Sequence, residues 1–120
     1  MQLPIELWVP SINLWNYRPV VAHLRVWKFR PPPSREQEFA VAYGSEGVWA
    51  ELFGKASGYL GTRLYRPSEV GGWWLTIDRW SSLADFERFQ EQFGIEYRGL
   101  DTELEGAAGD EEFVGAFEED

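Results

Sequence analysis

Between residues 58 and 80, apolar and polar positions alternate in two runs separated by Pro67, Gly71 and Gly72. Tyr59 to Tyr65 and Trp74 to Trp80 are therefore expected as the strands of a hairpin, since a period of two sends successive side chains to opposite faces of a sheet. Leu60, Leu64, Leu75 and Ile77 share one face, and Tyr59, Arg63, Tyr65, Trp74, Thr76, Asp78 and Trp80 share the other. The aliphatic face suits packing beneath helices, whereas the mixed face suits a lined cavity or a subunit interface. An earlier strand runs from Val20 to Arg30. It places Ala22, Leu24 and Val26 on one side and His23, Arg25, Trp27 and Phe29 on the other.

Helical spacing takes over between and after these strands. Pro31, Pro32 and Pro33 end the first strand, and Ser34 with Gln37 has the spacing of a capping box for a helix carrying Phe39, Ala42 and Tyr43. Gly44 and Gly47 break or kink that helix before a second piece holding Val48, Trp49, Leu52 and Phe53. A further helix starts at Ser82, with Asp85 in its first turn and a core stripe of Leu83, Phe86, Phe89 and Phe93. Gly94 is a stop signal, Ile95 to Glu105 has the pattern of another turn or two, and Phe113 to Phe117 reads as a short last strand. The order βαββαβ predicts an α+β, ferredoxin-like fold in which both helical segments cover one face of an antiparallel sheet. On that reading Trp27, Tyr65, Trp74 and Trp80 would lie together on the uncovered face of a monomer. Such a patch calls for a second copy, so a homodimer is expected.

Composition narrows the function classes. A chain of 120 residues with 20 aromatic residues has the size and apolar content of one folded domain. Residues 1–19 stand apart as an N-terminal extension, punctuated by Pro4, Pro10 and Pro19 and holding Trp8, Trp15 and Tyr17. They are expected to lie against the domain of residues 20–120 or against a neighbouring subunit. Without cysteine there are no disulfides, thiolate metal sites or cysteine nucleophiles, and one histidine makes a metal centre unexpected. No run approaches the roughly 20 apolar residues of a membrane span, and no secretory leader is recognisable, so a cytoplasmic location is expected.

The net charge of −9 is a C-terminal property. Nine acids and no base lie from Asp101 to Asp120, which leaves 11 acids and 11 bases in the first 100 residues. This acidic end reads as a solvated tail, and it argues against nucleic acid or an anionic membrane as partner.

The mixed face supplies the candidate chemistry. His23 is a candidate base because its ordinary pKa lies near neutrality. Arg25 or Arg63 is placed to hold an oxyanion, and Asp78 to orient His23 or an arginine. Trp27, Tyr65, Trp74 and Trp80 offer walls for a planar substrate. The same residues also read as an ion network and packing between subunits, whereas Tyr43 and Trp49, on the kinked helix, are within reach of a pocket but are expected first as core.

The run Glu38-Phe39, Tyr43-Gly44, Gly47, Trp49-Ala50, Leu52-Phe53, then Gly58-Tyr59-Leu60-Gly61-Thr62, then Leu75, Ile77-Asp78-Arg79-Trp80 and Ser82 resembles the antibiotic biosynthesis monooxygenase family over roughly residues 20–117. The resemblance implies a dimeric α+β barrel in which two sheets face each other and each subunit keeps a pocket between sheet and helices. Activities in the family include cofactor-free oxidation of polycyclic phenols, oxygenation of small quinols and haem degradation. The haem-degrading branch uses an asparagine on the first strand, a tryptophan ending the third and a histidine on the last helix. Only Trp80 matches, so that branch is not expected here. The resemblance thus implies a monooxygenase acting without cofactor or metal on a small phenol or quinol. A non-catalytic barrel binding a small hydrophobic ligand and a structural or regulatory dimer are the alternatives.

Overall fold

The computed structural model describes residues 21–120. The N-terminal extension expected at 1–19 lies outside the described residues. Strand β1 (His23–Arg30) is followed by a single 3₁₀ turn (Pro33–Arg35), helices α1 (Glu36–Tyr43) and α2 (Val48–Phe53), and strands β2 (Tyr59–Tyr65) and β3 (Trp74–Trp80). Helix α3 (Leu83–Ala108) and strand β4 (Asp110–Glu118) complete the chain. The four strands form one antiparallel sheet in the order β2-β3-β1-β4, the ferredoxin-like arrangement expected from the sequence.

Local chemistry accounts for the element boundaries. Ser82 caps α3, its hydroxyl accepting from the Asp85 amide at 3.1 Å. Gly47 separates α1 from α2 because a Cβ there would stand 2.3 Å from the carbonyl oxygens of Val41 and Ala42. The capping box at Ser34 does not form. The triple proline sets up a 3₁₀ turn instead, with the Arg35 amide donating to the Pro32 carbonyl at 2.8 Å. Arg35 then pairs with Glu38 across the start of α1. Gly94 does not stop α3. The helix kinks one residue earlier, at Phe93 (φ −121°, ψ 21°), and resumes to Ala108. In its stripe Phe86 and Phe89 are buried, whereas Leu83 is exposed.

The largest correction concerns the sheet faces. The helices cover the mixed, aromatic face, and the aliphatic face is the open one. Trp74 and Trp80 are 2% and 0% exposed within a single chain, so they form no surface patch. Register places His23, Arg25, Trp27 and Phe29 opposite Trp80, Asp78, Thr76 and Trp74, all facing the helices. Rings from the helices meet them edge-on, as with Phe39 on Trp74 (5.3 Å) and Phe53 on Trp80 (5.7 Å). The irregularity between Tyr59 and Gly61 shifts the phase of β2. Thr62 and Leu64 consequently pair with Asp78 and Thr76 on the helix side, and Arg63 and Tyr65 pair with Ile77 and Leu75 on the open side. Arg63 and Tyr65 therefore stand across the sheet from the other candidates.

Candidate active site

A cavity of about 90 Å³ lies between the sheet and the helices. β1 contributes Trp27 and Phe29, α1 and α2 contribute Tyr43, Trp49 and Phe53, and β2 and β3 contribute Thr62, Thr76 and Asp78. The stretch of α3 beyond the kink brings Tyr97 and Asp101 over the opening, and β4 supplies Glu111. The kink at Phe93 thus redirects the second half of α3, the part that supplies Tyr97 and Asp101 to the cavity.

Asp78 sits on the floor, nine-tenths buried. Its Oδ1 accepts from the Thr62 hydroxyl at 2.6 Å. Because Thr62 uses its proton in that bond, the Tyr59 hydroxyl 2.5 Å away donates to Thr62 in turn. No hydrogen bond to Asp78 Oδ2 occurs among the described residues. Burial raises the Asp78 carboxyl to about 6, although the Thr62 bond and the charge of Arg25 pull it down. Arg25 is the register partner of Asp78 but makes no ion pair with it. Its guanidinium lies over Phe86 (4.0 Å) and Phe113 (4.7 Å). Burial lowers the Arg25 pKa, with Tyr97 and Asp78 opposing.

The other titratable groups of the cavity respond to burial in the same direction. Tyr97 is pushed up to about 12, by burial first and then by Asp101, Asp78 and Glu111. Burial likewise drives the Tyr43 hydroxyl upward. Both phenols therefore stay protonated across the working pH range and remain donors. The Trp49 indole N–H lies against the Tyr43 hydroxyl but has no acceptor at full hydrogen-bond geometry among the described residues. Glu111, at the rim, is raised by burial and by repulsion from Asp101 and Glu105. No group of three or more His, Asp or Glu side chains among the described residues is arranged to hold a metal ion.

Of the residues singled out from the sequence, Asp78 and Trp27 line the cavity, and so do Tyr43 and Trp49, which are expected first as core. Arg25 stands behind Asp78. His23 is buried two register pairs beyond Arg25, opposite Trp80, with its ring 6.3 Å from Phe86 and its Nε2 without a partner among the described residues. Trp80 packs between Phe53, Tyr59, Phe86 and Phe89 as frame, and Trp74 faces a separate groove beside Pro31–Pro33. Sequence reasoning missed Tyr97, Asp101 and Glu111, the last two having been read as part of a solvated acidic tail. The apolar stripe continuing past Gly94, with Tyr97 and Leu100 packing against the core, was the available signal for Tyr97.

Residues 23–92, more than half the chain, match the family model described as antibiotic biosynthesis monooxygenase. No curated protein matches the chain in sequence. Among solved structures, the chain is similar to SnoaB from Streptomyces nogalater, described as a cofactor-independent oxygenase. That match has a TM-score of 0.56 at 20% identity and covers 80% of this chain and 90% of that one. A monooxygenase from the ActVA-Orf6 gene of Streptomyces coelicolor, in complex with nanaomycin D, matches with a TM-score of 0.56 at 19% identity, covering 84% and 88%. A conserved protein from Methanosarcina mazei Go1 matches with a TM-score of 0.57 at 15% identity, covering 84% and 95%.

Proposed function

The chain belongs to the antibiotic biosynthesis monooxygenase family, and from that footing we propose that it is a cofactor-independent monooxygenase acting on a small phenol or quinol. One observation carries the reading: a buried carboxyl, raised to about 6, on the floor of an aromatic-walled cavity, with one oxygen that makes no hydrogen bond among the described residues. A base with a pKa near the working pH is the effective kind for general catalysis.

In this proposal Asp78 takes the phenolic proton and the hydrogen-bonded Thr62 and Tyr59 hold its carboxyl in place. The substrate anion, electron-rich on its ring, reduces dioxygen and forms a ring-carbon hydroperoxide. Loss of water from that hydroperoxide leaves a quinone, so one oxygen atom enters the product and the other leaves as water. The substrate supplies all the electrons, and no outside reductant enters the balance. Tyr97 and Tyr43, both neutral donors, offset charge that develops on oxygen. Trp27, Phe29, Trp49 and Phe53 hold the ring and limit water. Arg25 acts as a positioning residue that keeps Asp78 ionisable. His23, Trp74 and Trp80 serve as frame.

We place the homodimer of this proposal on the open sheet face. Leu24, Leu75 and Ile77 lie there, half-buried, beside the buried Val26 and the exposed rings of Tyr65 and Phe117, an apolar face that no helix covers among the described residues. No helix among the described residues is long and apolar enough to cross a membrane.

Aerobic incubation with hydroquinones, phenols and naphthols tests the activity. The expected result is oxygen uptake matched by quinone absorbance, persisting in chelator and lost on boiling. Absence of uptake across the panel, with a folded protein, would overturn the oxygenase reading.

A further inference from the structure

The charges around the cavity are unbalanced. Asp78 lies on its floor, and Asp101 and Glu111 lie at its mouth, but no lysine or arginine among the described residues lines it. Arg25 acts on Asp78 and Tyr97 from behind the floor and leaves Asp101 and Glu111 without a cation of their own there. The five ion pairs among the described residues, Lys28–Glu112, Arg30–Asp110, Arg35–Glu38, Arg79–Glu119 and Arg88–Asp85, all lie outside the cavity. None of the three cavity carboxylates is in an ion pair among the described residues. Asp101 instead repels Glu111, and both bear on the Tyr97 hydroxyl. Asp78 adds a second observation, since it is nine-tenths buried, lines the empty space, and bonds Thr62 through Oδ1 only, with no hydrogen bond to Oδ2 among the described residues.

The walls fit the same sign of charge. Trp27, Tyr43, Trp49 and Tyr97 present ring faces or edges around a volume of about 90 Å³. That is below the range of about 300–1,000 Å³ common for drug-sized ligands, so it suits a single ring. Aromatic walls with carboxylates at one end are the combination that attracts an organic cation, through the ring quadrupole and through direct charge. A metal ion is the weaker fit, because no three acidic side chains converge on one point among the described residues.

We infer that the substrate is a monocyclic phenol bearing a protonated amine, its ammonium group held between Asp101 and Glu111 and its hydroxyl directed to Asp78. This rests on the reading of the cavity as the active site. The ammonium lies at the rim, where it keeps part of its hydration, and the ring alone enters the aromatic enclosure. An anionic phenol of equal size meets three carboxylates and is rejected.

Calorimetric titration with three probes of matched ring decides the question: tyramine, 4-ethylphenol and 3-(4-hydroxyphenyl)propionate. Tyramine is expected to bind at least about tenfold more tightly than 4-ethylphenol, equivalent to about 1.4 kcal/mol, with the propionate weakest. Raising the salt concentration is expected to narrow the gap. Equal affinities, a preference for the propionate, or no binding of any probe at millimolar concentration would overturn the inference. In an Asp101→Asn/Glu111→Gln protein the amine's advantage disappears while 4-ethylphenol binds as before. An undiminished advantage in that variant would overturn the placement. If the variant does not fold, the wild-type series and its salt dependence decide alone. Amine-selective binding without oxygen uptake sinks the oxygenase reading and leaves this one. Oxygen uptake on neutral phenols without preference for the amine does the reverse.

Discussion

Replacing Asp78 by asparagine is expected to stabilise the protein at neutral pH and to disable it at the same time. The Asp78 carboxyl is raised from 3.8 to about 6, chiefly by burial. Its folded pKa lies above the unfolded value, so the unfolded chain releases this proton first as pH rises. Stability contributed by the site is therefore full below about pH 4, falls between about pH 4 and pH 6, and stays reduced above that. A shift of this size corresponds to about 3 kcal/mol, which for a domain of this length amounts to on the order of 10 °C in melting temperature. Asparagine resembles the protonated acid in shape and carries no charge, and its Oδ1 still accepts from Thr62. Urea denaturation of both proteins at about pH 4 and about pH 8, at one protein concentration, measures the difference. The variant should match the wild type at the lower pH and exceed it by about 1–3 kcal/mol at the higher. Turnover in the oxygen-uptake assay should fall by about 100-fold or more, the usual contribution of a general base. A variant no more stable than the wild type at the higher pH would refute the argument, because it would mean that Arg25 already offsets the burial of the charge.

Three other outcomes follow from the same geometry. The wild-type kcat/KM should rise with pH through about 6, because the working base is the carboxylate; a profile that is flat from about pH 5 to 8 would remove Asp78 from that role. Ile77→Asp puts a charge in the middle of the open sheet face and should convert a dimer into a monomer in sedimentation. A wild-type protein already monomeric at micromolar concentration would sink the dimer itself. Gly47→Ala forces a Cβ onto two carbonyl oxygens at the α1–α2 junction and should lower stability by about 2–4 kcal/mol in denaturant titration; a change under about 0.5 kcal/mol would show that the junction yields easily.

Strand and helix identity was legible because it is local. The alternation in Trp74–Trp80 put Trp74, Thr76, Asp78 and Trp80 on one face, and register confirms it. Ser82 and Gly47 acted where the sequence placed them, since a cap and a close backbone approach involve only neighbouring residues. The phase of β2 was not legible. One irregular residue at Leu60 turns Thr62 inward and Arg63 and Tyr65 outward, and nothing in a period of two announces it.

Asp78 and Trp27 were recognisable as candidates because alternation sets a carboxylate on the same face of β3 as Trp74 and Trp80, and an indole on the same face of β1 as His23 and Arg25. The partners that give Asp78 its character come from far along the chain. Thr62 arrives by strand pairing, Arg25 from β1, and Tyr97 and Asp101 from the part of α3 beyond the kink at Phe93. The sequence by itself determined the order of elements, the ferredoxin-like fold and the sorting of side chains within β1 and β3, all of which depend on spacing along the backbone. Only the tertiary structure decided which sheet face the helices cover. Aliphatic side chains can bury either way, but the rings of Phe39 and Phe53 are large and pack edge-on against Trp74 and Trp80. That choice, made between residues tens of positions apart, encloses Asp78 in the cavity and leaves Leu75 and Ile77 outside.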